Sequence, residues 1–185
     1  FIAVAVSVRK LVAIGIGICH VRDIRSRKVG QTDDAVRISN GYTGRYMCIW
    51  STSTEDDARV IGWSDVGSLD LNWTVEDAGD GYVTIVNVNS GKALTASGDD
   101  VVQRTYSDGD LSQLWTVTEA GDGLYTIVNA QDERLLTSNE RTMDSGSADE
   151  VALYMSEDIE SDTQLWNLAL SNEEAVTYQI IDGTD

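Results

Sequence analysis

The sequence predicts an all-β fold made of three repeats, each with about four short strands. Residues 73–87 read WTVEDAGDGYVTIVN and residues 115–129 read WTVTEAGDGLYTIVN, so eleven of the fifteen positions are identical at an offset of 42. No segment of residues 36–170 keeps apolar residues at the spacing of an amphipathic helix. A near-duplication of this length indicates one supersecondary unit that recurs along the chain.

Each duplicated segment predicts a β-hairpin. The flanking W-T-V and T-I-V-N stretches are rich in β-branched residues, which favour strands. Asp80-Gly81 and Asp122-Gly123 predict type I′ turns between them, because both residues of such a turn need positive φ angles. A degenerate third copy starts at Trp166, and Tyr178–Asp182 stands where T-I-V-N stands in the other two.

Extending the alignment outward gives repeats of about residues 36–84, 85–126 and 127–182. Three repeats of four strands favour a β-trefoil, which is a six-stranded barrel capped by three hairpins. A propeller would need at least about four blades. We therefore predict a β-trefoil over residues 36–185.

Residues 1–35 form an apolar and basic N-terminal extension of uncertain structure. Arg9 and Lys10 interrupt its apolar run, so no uncharged stretch reaches the about 18–20 residues that a membrane span needs. We expect no membrane insertion. A pair of strands, a signal-peptide remnant and an extension foreign to the repeats stay open. Secreted and cytoplasmic locations are both compatible with the sequence.

The charge distribution and the scarcity of histidine exclude several functions. The formal net charge is −18, and residues 46–185 alone hold five basic and twenty-eight acidic residues. Such a surface repels phosphates, so we expect no nucleic-acid partner. The single histidine, His20, leaves no metal-ligand spacing and no Ser-His-Asp or Cys-His machinery in the repeats. We expect a non-enzyme without metal or cofactor. Cys19 and Cys48 allow one disulfide or two free thiols.

Gln-x-Trp motifs close two of the repeats and carry a family resemblance. They are Gln113–Trp115 and Gln164–Trp166, with Leu71–Trp73 as a variant, and Ile85–Leu94 adds a matching preceding segment. Residues 36–170 thereby resemble the ricin B-type lectins, most closely the fungal branch. The resemblance implies a β-trefoil that binds galactose- or GalNAc-type glycans and glycoproteins without catalysis.

Residues that recur in every repeat are predicted to build the scaffold. Trp73, Trp115 and Trp166 should fill the shared core, because a buried indole removes a large apolar area from water. Gln113 and Gln164 should hydrogen-bond to the backbone in the same layer. Sugar binding should instead depend on residues near the hairpin tips.

Aromatic residues near the end of each third strand are the candidate sugar platforms. These are Trp63, Tyr106 and Tyr154. The resemblance implies that such an aromatic stacks on a sugar ring while nearby polar groups hold the hydroxyls. The first repeat is the richest, and its predicted binding residues are Trp50, Asp57, Arg59, Trp63, Asp65 and Asn72. The competing interpretation is that Trp50 and Trp63 only cover the barrel rim.

One departure from the family keeps other functions open. Galactose-binding members usually carry Asp directly after the leucine of the second strand, and the corresponding residues here are Cys48, Thr95 and Leu136. A second hypothesis is therefore a trefoil that inhibits proteases or contacts a protein through the loop at 139–150. A third is a binding module of a larger enzyme or toxin. A homodimer would supply avidity to weak sites.

Overall fold

The computed structural model describes residues 35–142 and 149–171. In these two ranges the chain forms twelve strands and four single-turn 3-10 helices. The strands are β1 Val36–Asn40, β2 Tyr46–Ile49, β3 Ala58–Trp63, β4 Asn72–Gly79, β5 Tyr82–Asn87, β6 Ala93–Ser97, β7 Asp100–Arg104, β8 Trp115–Gly121, β9 Leu124–Asn129, β10 Leu135–Thr142, β11 Val151–Ser156 and β12 Trp166–Leu170. The 3-10 helices are Trp50–Thr52, Leu69–Leu71, Leu111–Gln113 and Asp162–Gln164. The predicted all-β class is confirmed.

Six strands close into a barrel. β1 pairs with β4, β4 with β5, β5 with β8, β8 with β9, β9 with β12, and β12 returns to β1, all antiparallel. Closure leaves no free edge in this ring, which removes the unpaired backbone groups of an open sheet. The six-stranded barrel of the predicted β-trefoil is therefore present.

Three hairpins cap one end of the barrel. They are β2–β3, β6–β7 and β10–β11. Their outer strands meet one another, because β3 pairs with β7, β11 pairs with β3, and β11 pairs with β7. The cap is consequently a triangle in which each repeat touches both of the others.

The first strand of the barrel completes the last repeat. Asn40 of β1 pairs with Trp166 of β12, as Asn87 pairs with Trp73 and Asn129 with Trp115. β1 thus takes the place that the repeat alignment predicted for Tyr178–Asp182, because closing the barrel requires the last strand to find the first. Residues 172–185, which include that segment, lie outside the described residues.

The three recurring tryptophans fill the core. Trp73, Trp115 and Trp166 are each 0% exposed and belong to one apolar cluster with Ile38, Ile85 and Ile127. Their predicted core role is confirmed. A buried indole is stable only when its N–H has an acceptor, and each of these donates to a backbone carbonyl of the second strand of its repeat.

The duplicated hairpins have the predicted turns. Asp80 and Gly81 adopt φ angles of 53° and 89°, and Asp122 and Gly123 adopt 53° and 75°. Positive φ at both central residues defines the type I′ turn, whose twist matches that of the flanking strands. The turn prediction is confirmed at both sites.

The predictions for residues 1–35 fall almost wholly on residues 1–34, which lie outside the described part of the chain. Within the described residues Cys48 has no disulfide partner, and its thiol is buried; Cys19 lies outside them. Across the ranges that the structure does describe, no helix combines the length and the apolar character needed to cross a membrane.

Candidate functional site

A pocket of about 260 Å³ opens in the first repeat. It lies between the β2–β3 hairpin and the 3-10 helices Trp50–Thr52 and Leu69–Leu71. Its main side chains are Trp50, Trp63, Cys48, Ile61, Leu71 and Asp70. Ligand pockets in proteins are commonly about 300–1,000 Å³, so this one suits a ligand of about one ring.

Two tryptophans give the pocket its aromatic surface. Trp50 is 44% exposed, and Trp63 is half-buried at the end of β3. Trp63 packs with Tyr46 on a small apolar cluster made of Cys48, Ile61 and Leu71. An indole that rests on a packed base and leaves part of its surface open can stack on an apolar ligand face.

The base of the pocket is apolar because two polar residues of the other repeats are replaced. In the second and third repeats a Thr and a Gln form a buried hydrogen bond, Gln113–Thr95 at 3.3 Å and Gln164–Thr137 at 3.2 Å. We call these the Thr–Gln pairs. The glutamines also donate to backbone carbonyls, as predicted. Cys48 and Leu71 occupy the two positions in the first repeat.

Asp70 is the acidic residue of the pocket lining, and its side chain is buried. The residue is 2% exposed, and its Oδ2 accepts a hydrogen bond from the Ile49 backbone N–H at 3.2 Å. Its Oδ1 is buried and has no hydrogen-bond partner among the residues that the structure describes. A buried acceptor without a donor costs free energy.

Cys48 experiences the negative charge of this region. Burial, followed by the charges of Asp70 and Glu150, raises the pKa of the Cys48 thiol to about 12. The thiol is therefore neutral at physiological pH and behaves as a small apolar side chain. It contributes to the apolar base of the pocket and not to nucleophilic chemistry.

The segment that carries Trp50 has an unusual backbone. Ser51 and Thr52 have φ angles of 56° and 51°, in the left-handed region that costs a non-glycine residue about 1–2 kcal/mol. The β2–β3 connection spans residues 50–57, whereas the equivalent connection of the second repeat spans only residues 98–99. Trp50 therefore lies in a loop that is longer than its counterpart in the second repeat.

The second repeat holds this loop in place. Gln103 is 0% exposed, and its Nε2 donates to the carbonyls of Ser53 and Glu55 at 2.9 and 3.0 Å. Asp56 accepts from Lys92 Nζ and from the Thr105 backbone N–H, each at 2.7 Å. These two bonds lower the pKa of Asp56. The loop conformation thus depends on contacts between repeats.

The predicted binding residues separate into two groups. Trp50 and Trp63 line the pocket, whereas the other four lie outside its lining: Asp57, Arg59, Asp65 and Asn72. Asp57 pairs with Arg104 at 2.6 Å. Arg37 pairs with Asp65 at 2.7 Å and donates to Asn72 at 3.3 Å. Sugar contact by these four residues stays a prediction. The sequence pattern did not single out Asp70.

The indole hydrogen bonds fix which residues are equivalent in the three repeats. Nε1 of Trp73, Trp115 and Trp166 donates to the carbonyls of Met47, Leu94 and Leu136 at 2.9, 3.1 and 2.9 Å. The residues directly after these three acceptors in the chain are Cys48, Thr95 and Thr137. The prediction that Leu136 occupies the third of these positions is therefore wrong by one residue, because Leu136 is itself the acceptor.

The same register corrects the predicted equivalence of the aromatic residues. The hairpin partners Tyr46, Ala93 and Leu135 face Trp63, Arg104 and Ser156 respectively. Trp63 therefore has no aromatic counterpart in the other two repeats. The prediction that Tyr106 and Tyr154 are its equivalents is wrong, since Tyr106 lies beyond the end of β7 and Tyr154 pairs with Thr137.

The segment 139–150, proposed as a loop for protease inhibition, is only partly described. Residues 139–142 belong to β10, and residues 143–148 lie outside the described residues. Within residues 35–142 and 149–171, no group of three or more His, Cys, Asp or Glu is placed to hold a metal ion.

Comparison with known proteins gives one family match. The family described as ricin-type beta-trefoil lectin domain-like matches residues 27–100 and 70–154. No curated protein sequence matches the chain.

Solved structures agree with this match. The designed threefold-symmetric protein ThreeFoil is 29% identical with a TM-score of 0.66, covering 74% of this chain and 99% of that one. An exo-beta-1,3-galactanase from Clostridium thermocellum is 28% identical with a TM-score of 0.67, covering 78% of this chain and 32% of that one. A cytolethal distending toxin structure from Actinobacillus actinomycetemcomitans, at 18% identity and a TM-score of 0.68, shows the fold alone, with 81% and 99% covered.

Proposed function

Because the chain belongs to the ricin-type β-trefoil lectin domain-like family, we propose that it is a non-enzymatic lectin whose sugar site is the first-repeat pocket. The observation that supports this site is the combination of Trp50, Trp63 and the unpartnered buried Oδ1 of Asp70 around one cavity. Aromatic stacking and a small number of fixed polar groups are the usual means by which proteins bind a sugar ring.

The proposed binding mode follows from the chemistry of the pocket. The apolar face of a pyranose ring stacks on Trp63, and Trp50 covers its outer edge. A rotation of the Asp70 side chain would bring its buried Oδ1 to the cavity, where a ring hydroxyl donates the hydrogen bond that this atom lacks in the free protein. The interaction requires no proton transfer and no second carboxylate, so it supports binding and not hydrolysis.

Galactose- and GalNAc-type glycans are the proposed ligands, carried by glycoproteins. The similarity to an exo-beta-1,3-galactanase over 78% of this chain supports galactose as the sugar. This chain covers only 32% of the galactanase, so the enzymatic activity of that protein does not transfer. The greater similarity of the sequence to the fungal branch of the family stays a prediction from the Gln-x-Trp segments.

Titration of the protein with galactose, GalNAc and lactose, followed by NMR, tests the proposal. We expect ligand-induced shifts of the Trp50 and Trp63 indole N–H signals. Trp63→Ala should weaken binding by at least about tenfold, because removing the aromatic platform loses roughly 1.5 kcal/mol of stacking beyond simple area burial. Trp63→Phe should retain part of the affinity.

Tyr42→Ala provides the matched control. Tyr42 is 58% exposed in a loop of the same repeat, and it lies outside the pocket lining, so its removal should leave binding unchanged. Thermal unfolding of each variant separates lost binding from lost folding. If none of the three sugars binds, or if Trp63→Ala binds as tightly as the original protein, the proposed site is wrong.

A further inference from the structure

The first-repeat pocket is lined by a buried acidic side chain that no basic residue of the described chain pairs with. Asp70 is 2% exposed, and its side chain accepts a hydrogen bond from the Ile49 backbone N–H. Among the residues that the structure describes, no Lys or Arg forms an ion pair with Asp70. A carboxylate in an apolar wall is strongly destabilised unless a positive group compensates it. The described part of the chain supplies none at this position.

The surroundings of Asp70 add to its negative potential. The charges of Asp70 and Glu150 both raise the pKa of Cys48, so two carboxylates act on the base of the same pocket. Glu150 is 1% exposed, so water screens its charge weakly. The net charge of −18 extends this attraction for cations to longer range.

The two tryptophans favour the same kind of ligand. The face of an indole attracts a cation through its quadrupole, and tryptophan is the strongest of the aromatic side chains in this respect. Trp50 and Trp63 line the pocket that contains Asp70. A positive group placed there would be attracted both by the Asp70 carboxylate and by at least one aromatic face, whereas a neutral hydroxyl would gain a hydrogen bond alone.

We propose that this pocket selects ligands that carry a protonated amine beside an apolar ring face, so that its preferred sugar is an unacetylated hexosamine such as galactosamine. The same rotation of Asp70 lets the amine donate to Oδ1 while the ring stacks on the tryptophans. The volume of about 260 Å³ suits a single ring of this kind. The identity of the ligand as a sugar rests on the proposed function, whereas the preference for an amine does not.

Two comparisons of ligands on the unmodified protein test the preference. Galactosamine is compared with galactose and GalNAc, and cyclohexylamine is compared with cyclohexanol, at about pH 7, where most of each amine is protonated. We expect each amine to bind at least about tenfold more tightly than its neutral counterpart. The preference should shrink as salt is raised, because a charge-assisted contact is screened and stacking is not.

Asp70→Asn should reduce the preference for the amine to less than about twofold, because it removes the charge and keeps the shape. Asp108→Asn is the matched control: it removes the same charge from an exposed loop of the second repeat and should leave the preference intact. Should Asp70→Asn fail to fold, the comparison of amines with alcohols on the unmodified protein decides the question alone.

The outcomes separate the two proposals. Equal affinity for galactosamine and galactose, with no preference for cyclohexylamine, overturns the amine preference and leaves sugar binding intact. A preference for cyclohexylamine without binding of any sugar supports the amine preference and overturns the lectin proposal.

Discussion

At the residue scale, the first repeat differs from the others by a coordinated replacement. Where they have Thr–Gln pairs, it has Cys48 and Leu71, which cannot make the same hydrogen bonds. In the second and third repeats the glutamine Oε1 also accepts a hydrogen bond from a nearby loop backbone N–H, that of Ser107 and that of Ile159. The replacement therefore removes an anchor of that loop and leaves an apolar base beneath Trp63.

Because of Cys48, the free energy of unfolding should decrease as the pH becomes alkaline. The pKa of Cys48 is raised from 9.0 to about 12, so the folded protein keeps a proton that the unfolded chain releases. This contribution to stability is full below about pH 9 and is lost as the pH rises toward 12, at about 1.4 kcal/mol per pH unit. We expect Cys48→Val to remove that component, measured by chemical denaturation at pH 8 and pH 10.

The comparison of the two proteins provides its own control, because every lysine and tyrosine titrates in both. The free energy of unfolding of the original protein should fall by about 1.4 kcal/mol more than that of Cys48→Val between these two pH values. An identical decrease in both proteins would show that the thiol ionises as readily in the folded state as in the unfolded one.

At the element scale, the β-hairpins carry most of what the sequence predicts. Alternating β-branched residues and an Asp-Gly dipeptide determine local geometry, so strands β4, β5, β8 and β9 and their turns were predictable from short segments. The positions of the third strands were not. The β2–β3 connection is longer than β6–β7, and a shift of this kind moves the register without changing the composition of the strand.

Asp70 was unpredictable for a related reason. The repeat alignment shows only that Asp70 is equivalent to Ser112 and Thr163 of the other repeats. Whether a carboxylate is exposed, paired or buried alone depends on tertiary neighbours that no single segment contains. The loss of the glutamine at Leu71 was the available signal, because a departure from a repeated motif marks a repeat that has a different environment.

The type I′ turns give a prediction for the element as a whole. Gly81→Ala should destabilise the protein by about 1–2 kcal/mol, because it forces a side chain into a backbone with φ of 89°. A Cβ added at Gly81 would have nothing within 4 Å, so the cost is conformational and not steric crowding. Thermal or chemical unfolding measures it.

Asp80→Asn is the control in the neighbouring position, since Asn-Gly suits a type I′ turn as well as Asp-Gly does. Its stability should lie within about 0.5 kcal/mol of the original protein. Equal stability of Gly81→Ala and Asp80→Asn would contradict the assigned turn geometry.

At the scale of the whole molecule, threefold architecture does not produce threefold function. The barrel and the core tryptophans repeat, but Trp63 corresponds to Arg104 and Ser156, and the apolar base corresponds to the two Thr–Gln pairs. The loop that carries Trp50 also differs among repeats. The scaffold is threefold symmetric, whereas the pocket is formed by residues that differ between the repeats.

Calorimetric titration with the best-binding sugar should therefore give about one site per chain. The monomer should bind without cross-linking cells or glycoproteins, and agglutination should require a homodimer. Light scattering measured alongside the titration determines the oligomeric state. A stoichiometry near three per chain would mean that Arg104 and Ser156 replace the aromatic platform, and it would overturn the restriction to the first repeat.

The pairing of β1 with β12 sets the order in which this protein can be assembled. Val36 meets Leu170, so the ring of six strands stays open until nearly all of the described chain is available. Contacts so distant in sequence are slow to form because a large loop must close before they yield any stabilisation. During synthesis the completed first and second repeats therefore have unpaired strand edges until the third repeat emerges. In that interval the acidic residues repel neighbouring chains and oppose aggregation.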